Sequence, residues 1–134
     1  MPIQKQLSVF LPNRPGALAR IAGILADANI NILALSVHDT VDNAVVRLVL
    51  DNPVKALLLL EQDELYITEQ QVVILAVDNE PGTLAHIAQK LGHADINIQY
   101  AYCTAASSQI AGCIVIKTDQ PEAAMECLRE FESG

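Results

Sequence analysis

The sequence predicts an α+β protein built from two copies of one β-α-β-β-α-β unit, with antiparallel sheets and the helices on one face. The phrase NRPGALARIAGILADANINI, Asn13 to Ile32, returns as NEPGTLAHIAQKLGHADINI, Asn79 to Ile98, at a constant offset of 66 residues with twelve identities. Within each copy the apolar spacing also switches from alternation to a helical period of about 3.6 and back. The offset is close to half of the 134 residues, so the period divides the chain into repeated units. We divide it at 1–69 and 70–134.

Each copy opens on an alternating apolar run, Leu7, Val9 and Leu11 or Val73, Leu75 and Val77, which is a strand signal. A Pro-Gly turn follows at Pro12–Gly16 and at Asp78–Gly82. Leu18, Ile21, Ala22, Leu25 and Ala28 then draw one apolar helix face, repeated as Leu84, Ile87, Ala88, Leu91 and Ala94. Asn29 and Asp95 close these helices, and Ile30–Val37 and Ile96–Thr104 read as second strands. Polar turns at Asp39–Asn43 and Ala105–Gln109 lead to third strands, Ala44–Leu50 and Ile110–Lys117. Pro53 and Pro121 each open a second helix, where the missing N–H costs nothing. Leu65–Gln71 supplies the first copy's fourth strand. The second copy retains only Glu130–Gly134 after its helix, too few and too polar for a full fourth strand. Either one sheet edge is bare or Leu65–Val77 serves both units. With right-handed crossovers this order gives the ferredoxin-like, split βαβ arrangement.

Composition removes several function classes. A net charge of −8, a pI near 4.6 and the lack of any Lys/Arg cluster argue against nucleic acid as a partner. Hydrophobic residues make up 51%, yet no apolar run approaches the ~18 residues that span a bilayer. MPIQKQLSVF lacks a signal-peptide pattern, so a cytoplasmic location away from membranes is expected. Cys103, Cys113 and Cys127 contain no CxxC and read as reduced, packed thiols. His38, His86 and His93 read as solvated side chains, and no metal or cofactor is expected. The sequence carries no Ser-His-Asp set, paired carboxylates in one corner, or P-loop; we expect no catalysis.

The repeated strand-loop-helix corner carries the candidate chemistry. Gly16 and Gly82 let backbone approach a ligand, and the helix start offers free N–H groups suited to a carboxylate. Asn13 and Asn79 offer both a donor and an acceptor, as a free amino acid requires. They serve equally well as helix N-caps. Asn31 and Asn97, each inside Ile-Asn-Ile, keep a polar group in an apolar frame. Arg14, Ala17, Glu80 and Thr83 complete the two corners. Gln99, where the first copy has Leu33, and Tyr100 are candidates special to the second copy. Tyr100 and Tyr102 share one strand face and read first as an aromatic packing pair.

The pattern N-x-P-G-x-L-x-x-I-x-x-x-L-x-x-x-x-I-N-I resembles the signature of ACT domains, small regulatory modules that sense amino acids. Both copies fit it and together cover almost the whole chain. The resemblance implies the βαββαβ fold, side-by-side pairing of units, and a small amino acid bound at the interface between ACT units. It implies no cofactor, and a regulated enzyme as a possible partner. In the similar serine-sensing domains of phosphoglycerate dehydrogenases, the loop Asn matches Asn13 and Asn79 and the strand Asn matches Asn31 and Asn97. Those domains carry a His two residues before the loop Asn, where Leu11 and Val77 stand here. An alternative is a regulatory subunit that grips a biosynthetic enzyme, as acetolactate synthase small subunits do; LSVFLPNRPGALARI resembles their N-terminus. An acylphosphatase-like enzyme using Arg14 is disfavoured, because the second copy has Glu80 there.

The second helix of the first copy adds Val54, Leu57 and Leu58 to its inward Ala56, Leu59 and Leu60, so it is apolar nearly all round. The matching positions in the second copy are Glu122, Met125 and Glu126. A helix apolar on every side requires a cover. We expect a homodimer.

Overall fold

The computed structural model describes residues 3–77, 81–104 and 112–131. Residues 1–2, 78–80, 105–111 and 132–134 lie outside the described residues. The elements run β1 (Ile3–Pro12), α1 (Ala17–Asp27), β2 (Ile32–Asp39), β3 (Asn43–Leu50), α2 (Pro53–Gln62), β4 (Tyr66–Val77), α3 (Thr83–His93), β5 (Tyr100–Cys103), β6 (Gly112–Lys117) and α4 (Pro121–Cys127), followed by a 3₁₀ turn at Arg129–Phe131. The β-α-β-β-α-β order is realised in the first copy, and its first five elements recur in the second, in an α+β fold with four α-helices among the described residues. No described helix is long and apolar enough to cross a membrane.

The chain forms two compact units. The N-terminal unit is Lys5–Gln70; the C-terminal unit is Gln71–Gly134 with Met1–Gln4. In the N-terminal unit the strands lie in the order β2-β3-β1-β4. β3 is antiparallel to β1 (Val9 opposite Val46) and to β2 (Leu35 opposite Leu48). Leu7, Val9 and Leu11 of β1 and Val46, Leu48 and Leu50 of β3 point to one face. There they join Ile21 and Leu25 of α1 and Ala56 and Leu60 of α2 in one buried core. On the opposite face Gln6 and Ser8, both buried, donate to Gln70 Oε1 at 3.0 and 2.7 Å. The Gln70 amide in turn donates to Thr68 Oγ1 at 2.8 Å. This network ties β1 to β4 and leaves no buried side-chain polar atom unsatisfied among the described residues.

The C-terminal unit repeats the plan. Val73 and Leu75 of β4, Ile87 and Leu91 of α3, Ile114 and Ile116 of β6, and Ala124 of α4 form its core. β6 is antiparallel to β4 and to β5. Among the described residues no strand follows α4. Instead Ile3, at the start of β1, packs on this core, as Ile67 packs on the first. The strand missing at the end of the repeat thus has a counterpart at the start of the chain.

Two boundaries differ from expectation, for one reason. Both first helices end in a left-handed residue, Asn29 (φ 60°) and Asp95 (φ 59°). Asn29 N–H donates to the Ala26 carbonyl and Ile30 N–H to that of Leu25, at 3.0 and 2.9 Å; Asp95 and Ile96 repeat both bonds to Gly92 and Leu91. This is a Schellman closure, with the apolar residue after the turn packed back on the helix. It ties Ile30 and Ile96 to their helices, so β2 begins at Ile32 and β5 at Tyr100 rather than at Ile30 and Ile96. β4, Tyr66–Val77, is one unbroken strand, in line with the alternative in which Leu65–Val77 serves both units. In α2, Leu57 packs on the core, so of the three added apolar residues only Val54 and Leu58 are exposed.

Candidate functional site

The glycines of the two repeated corners share one backbone conformation. Gly16 (φ 87°, ψ −11°) and Gly82 (φ 89°, ψ −9°) stand at the N-caps of α1 and α3 in the left-handed region. A Cβ at either would meet nothing within 4 Å, so the dihedral rather than space selects glycine. Neither helix has a side-chain cap. Asn13 is therefore not an N-cap. Its amide donates instead to Asp39 Oδ1 and to the Thr40 carbonyl at 3.3 Å, holding the β1–α1 loop to the β2–β3 turn.

In the N-terminal unit the corner opens on a depression of about 520 Å³. Arg14, Gly16 and Ala17 line it, together with Arg20 from α1 and Asp63 and Glu64 from the exit of α2. The Arg20 guanidinium grips Asp63 with both arms, Nε to Oδ2 at 2.8 Å and Nη2 to Oδ1 at 2.5 Å. The Asp63 hydrogen bond, then its charge, raises the Arg20 pKa above its already high ordinary value. Glu64 has φ 61°. Among the described residues neither the Arg14 guanidinium nor the Glu64 carboxylate has a side-chain partner.

Of the predicted site residues, then, Arg14, Gly16 and Ala17 come together; Asn13 and Asn31 do not line the depression. Asn31 precedes β2, and its N–H and carbonyl both pair with Asp51, at 3.0 and 3.2 Å. In the C-terminal unit Asn79 and Glu80 lie outside the described residues. Gly82 and Thr83 begin α3, and Asn97 is exposed before β5. Gln99 Oε1 accepts from Lys117 Nζ at 2.9 Å, and Tyr100 stands opposite Lys117 in the β5–β6 register.

Arg20, Asp63 and Glu64 escaped the sequence reading. A signal for the first two exists in the repeat itself. With the prolines of α2 and α4 aligned, Asp63 corresponds to Phe131, and Arg20 corresponds to His86. The two positions change together, and in the C-terminal unit they still touch: the His86 and Phe131 rings meet edge to face, with centroids 5.0 Å apart.

The family model of an ACT domain pair matches residues 1–132. The crystal structure of protein BT0572 from Bacteroides thetaiotaomicron is similar at 30% identity and a TM-score of 0.88, over 96% of this chain and 88% of that one. The ligand-free regulatory subunit of aspartate kinase from Thermus thermophilus shares the fold, with a TM-score of 0.70 at 18% identity over 97% of both chains. Its counterpart from Thermus flavus has a TM-score of 0.63 at 18% identity, over 97% of this chain and 96% of that one. No curated protein matches. A βαββαβ unit and its repeat, a doubled Pro-Gly corner and a family match across almost the entire length agree: the chain belongs to the ACT family, as a pair of ACT domains.

Proposed function

We propose that this chain is a non-catalytic, cytoplasmic regulatory protein that senses a small free amino acid, the two copies of the repeat, 1–69 and 70–134, being its two ACT units. The observation that carries the reading is the N-terminal corner. There the loop residues Arg14, Gly16 and Ala17 line a depression of about 520 Å³, within the size range of small-molecule sites. Ligand binding biases one arrangement of the protein over another, and a bound enzyme or a second copy reads that bias. The fold shared with aspartate kinase regulatory subunits supports a regulatory role. A homodimer fits the exposed Val54 and Leu58. A subunit that acts on an enzyme through protein contacts alone is the second reading, and the same exposed pair favours it.

Thermal denaturation with each free amino acid in turn separates the two. A ligand at a hundred times its Kd raises stability by about 2.7 kcal/mol, a shift of several degrees. A chain that senses amino acids shows such a shift with at least one of them. A flat response to all of them leaves the protein-contact reading standing.

A further inference from the structure

Resting on the sensor reading above, we infer that the chain has one amino-acid site rather than two, in the N-terminal unit, with Arg14 holding the ligand's carboxylate and Glu64 its ammonium group. Four charged side chains line the depression: Arg14, Arg20, Asp63 and Glu64. Two of them are committed to each other, since the two-armed Arg20–Asp63 bond uses both carboxylate oxygens. Such a fork-to-carboxylate pair is the geometrically specific kind of charged hydrogen bond, and it occupies both groups at the surface. It forms one wall of the depression. One cation and one anion remain without side-chain partners among the described residues, Arg14 and Glu64. A dicarboxylate would meet one available cation and one opposing carboxylate. A diamine would meet the reverse. A zwitterion satisfies both, and the α-amino acid is the smallest common metabolite of that kind.

The C-terminal unit keeps only part of this chemistry: with the prolines of α2 and α4 aligned, Glu64 corresponds to Glu132, but the cation has no counterpart. Arg14 is replaced by Glu80, so the carboxylate-binding cation has become an anion. The Arg20–Asp63 wall is replaced by the His86–Phe131 ring contact. The paired replacement keeps the two elements in touch while removing the charge, as expected where packing is retained and binding is not.

Isothermal titration of the full chain with each proteinogenic L-amino acid, and with the N-acetyl and carboxamide forms of any that bind, tests this. We expect one equivalent per chain, and at least roughly tenfold weaker binding when either ligand charge is capped or when Arg14→Gln or Glu64→Gln is introduced. Both side chains are exposed, so these variants keep the wild-type Tm. His86→Asn, in the other unit, keeps wild-type affinity. Two equivalent sites per chain, or affinity indifferent to Arg14 and Glu64, overturns the single zwitterion site while leaving the sensor reading intact. Binding of no amino acid at all overturns both.

Discussion

Glu64 occupies a backbone conformation that its side chain does not favour. α1 and α3 leave through Asn29 and Asp95, whose short polar side chains tolerate the left-handed region. α2 leaves through Glu64 at φ 61°, its N–H bonded to the Glu61 carbonyl at 3.0 Å. Glycine would fit there without the cost of ~1–2 kcal/mol that an ordinary L-residue carries. Retaining Glu makes sense if its carboxylate is needed in the depression that it lines. Glu64→Gly should therefore raise stability, by about 1 kcal/mol at most, while abolishing tight amino-acid binding. Chemical denaturation and titration on the same sample check both halves; a variant that is no more stable refutes the strain argument. Arg14, Gly16 and Ala17 were legible beforehand because they belong to one short phrase. Arg20 and Asp63 were not, because 43 residues separate them and no local pattern joins them. Only the fold brings α1 against the exit of α2.

At the level of the element, α1 and α3 were legible because each has one apolar face, and the prolines of the second helices mark true starts in both α2 and α4. What periodicity missed was how a helix leaves. Ile-Asn-Ile alternates like a strand, yet its first isoleucine closes the helix through the Leu25 or Leu91 carbonyl. Leu65–Gln71 and the run Val73, Leu75 and Val77 signal strand on both sides of the copy boundary with no turn residue between them, and the structure joins them in one strand, Tyr66–Val77. These assignments separate the two asparagines by role. Asn29→Ala forces a Cβ-bearing, non-polar residue into the left-handed region and should cost about 1 kcal/mol, lowering Tm by a few degrees. Asn13→Ala removes an exposed loop bond to Asp39 and the Thr40 carbonyl, with no cap lost, and should cost under about 0.5 kcal/mol. Thermal melts of both variants test the contrast. Equal losses would mean that the Asn13 bond anchors the corner as firmly as the cap closes the helix.

For the whole molecule, the two copies differ in what their second helices show to water. α2 exposes Val54 at 61% and Leu58 at 58%, four residues apart and so on one face. The same positions in α4 are Glu122 and Glu126, both exposed, with Glu126 paired to Arg129 at 2.8 Å. One helix has a surface built for water and the other does not. A patch present once per chain meets its like most simply across a twofold axis, where each residue counts twice. Fully burying such a side chain is worth roughly 1.5–3 kcal/mol. Four of them offset part of the ~4–15 kcal/mol that association costs, so they can anchor a dimer but not hold it unaided. The interface must recruit neighbouring surface, and the dimer should be of micromolar strength rather than permanent. Leu58→Glu places an unpaired charge at its centre and should shift the chain to monomer. Val54→Lys should act in the same direction, whereas Glu122→Lys on α4 should leave association unchanged. Sedimentation of the wild type and these variants across micromolar concentrations decides it: a wild-type monomer throughout, or a dimer indifferent to Leu58→Glu, removes α2 from the interface.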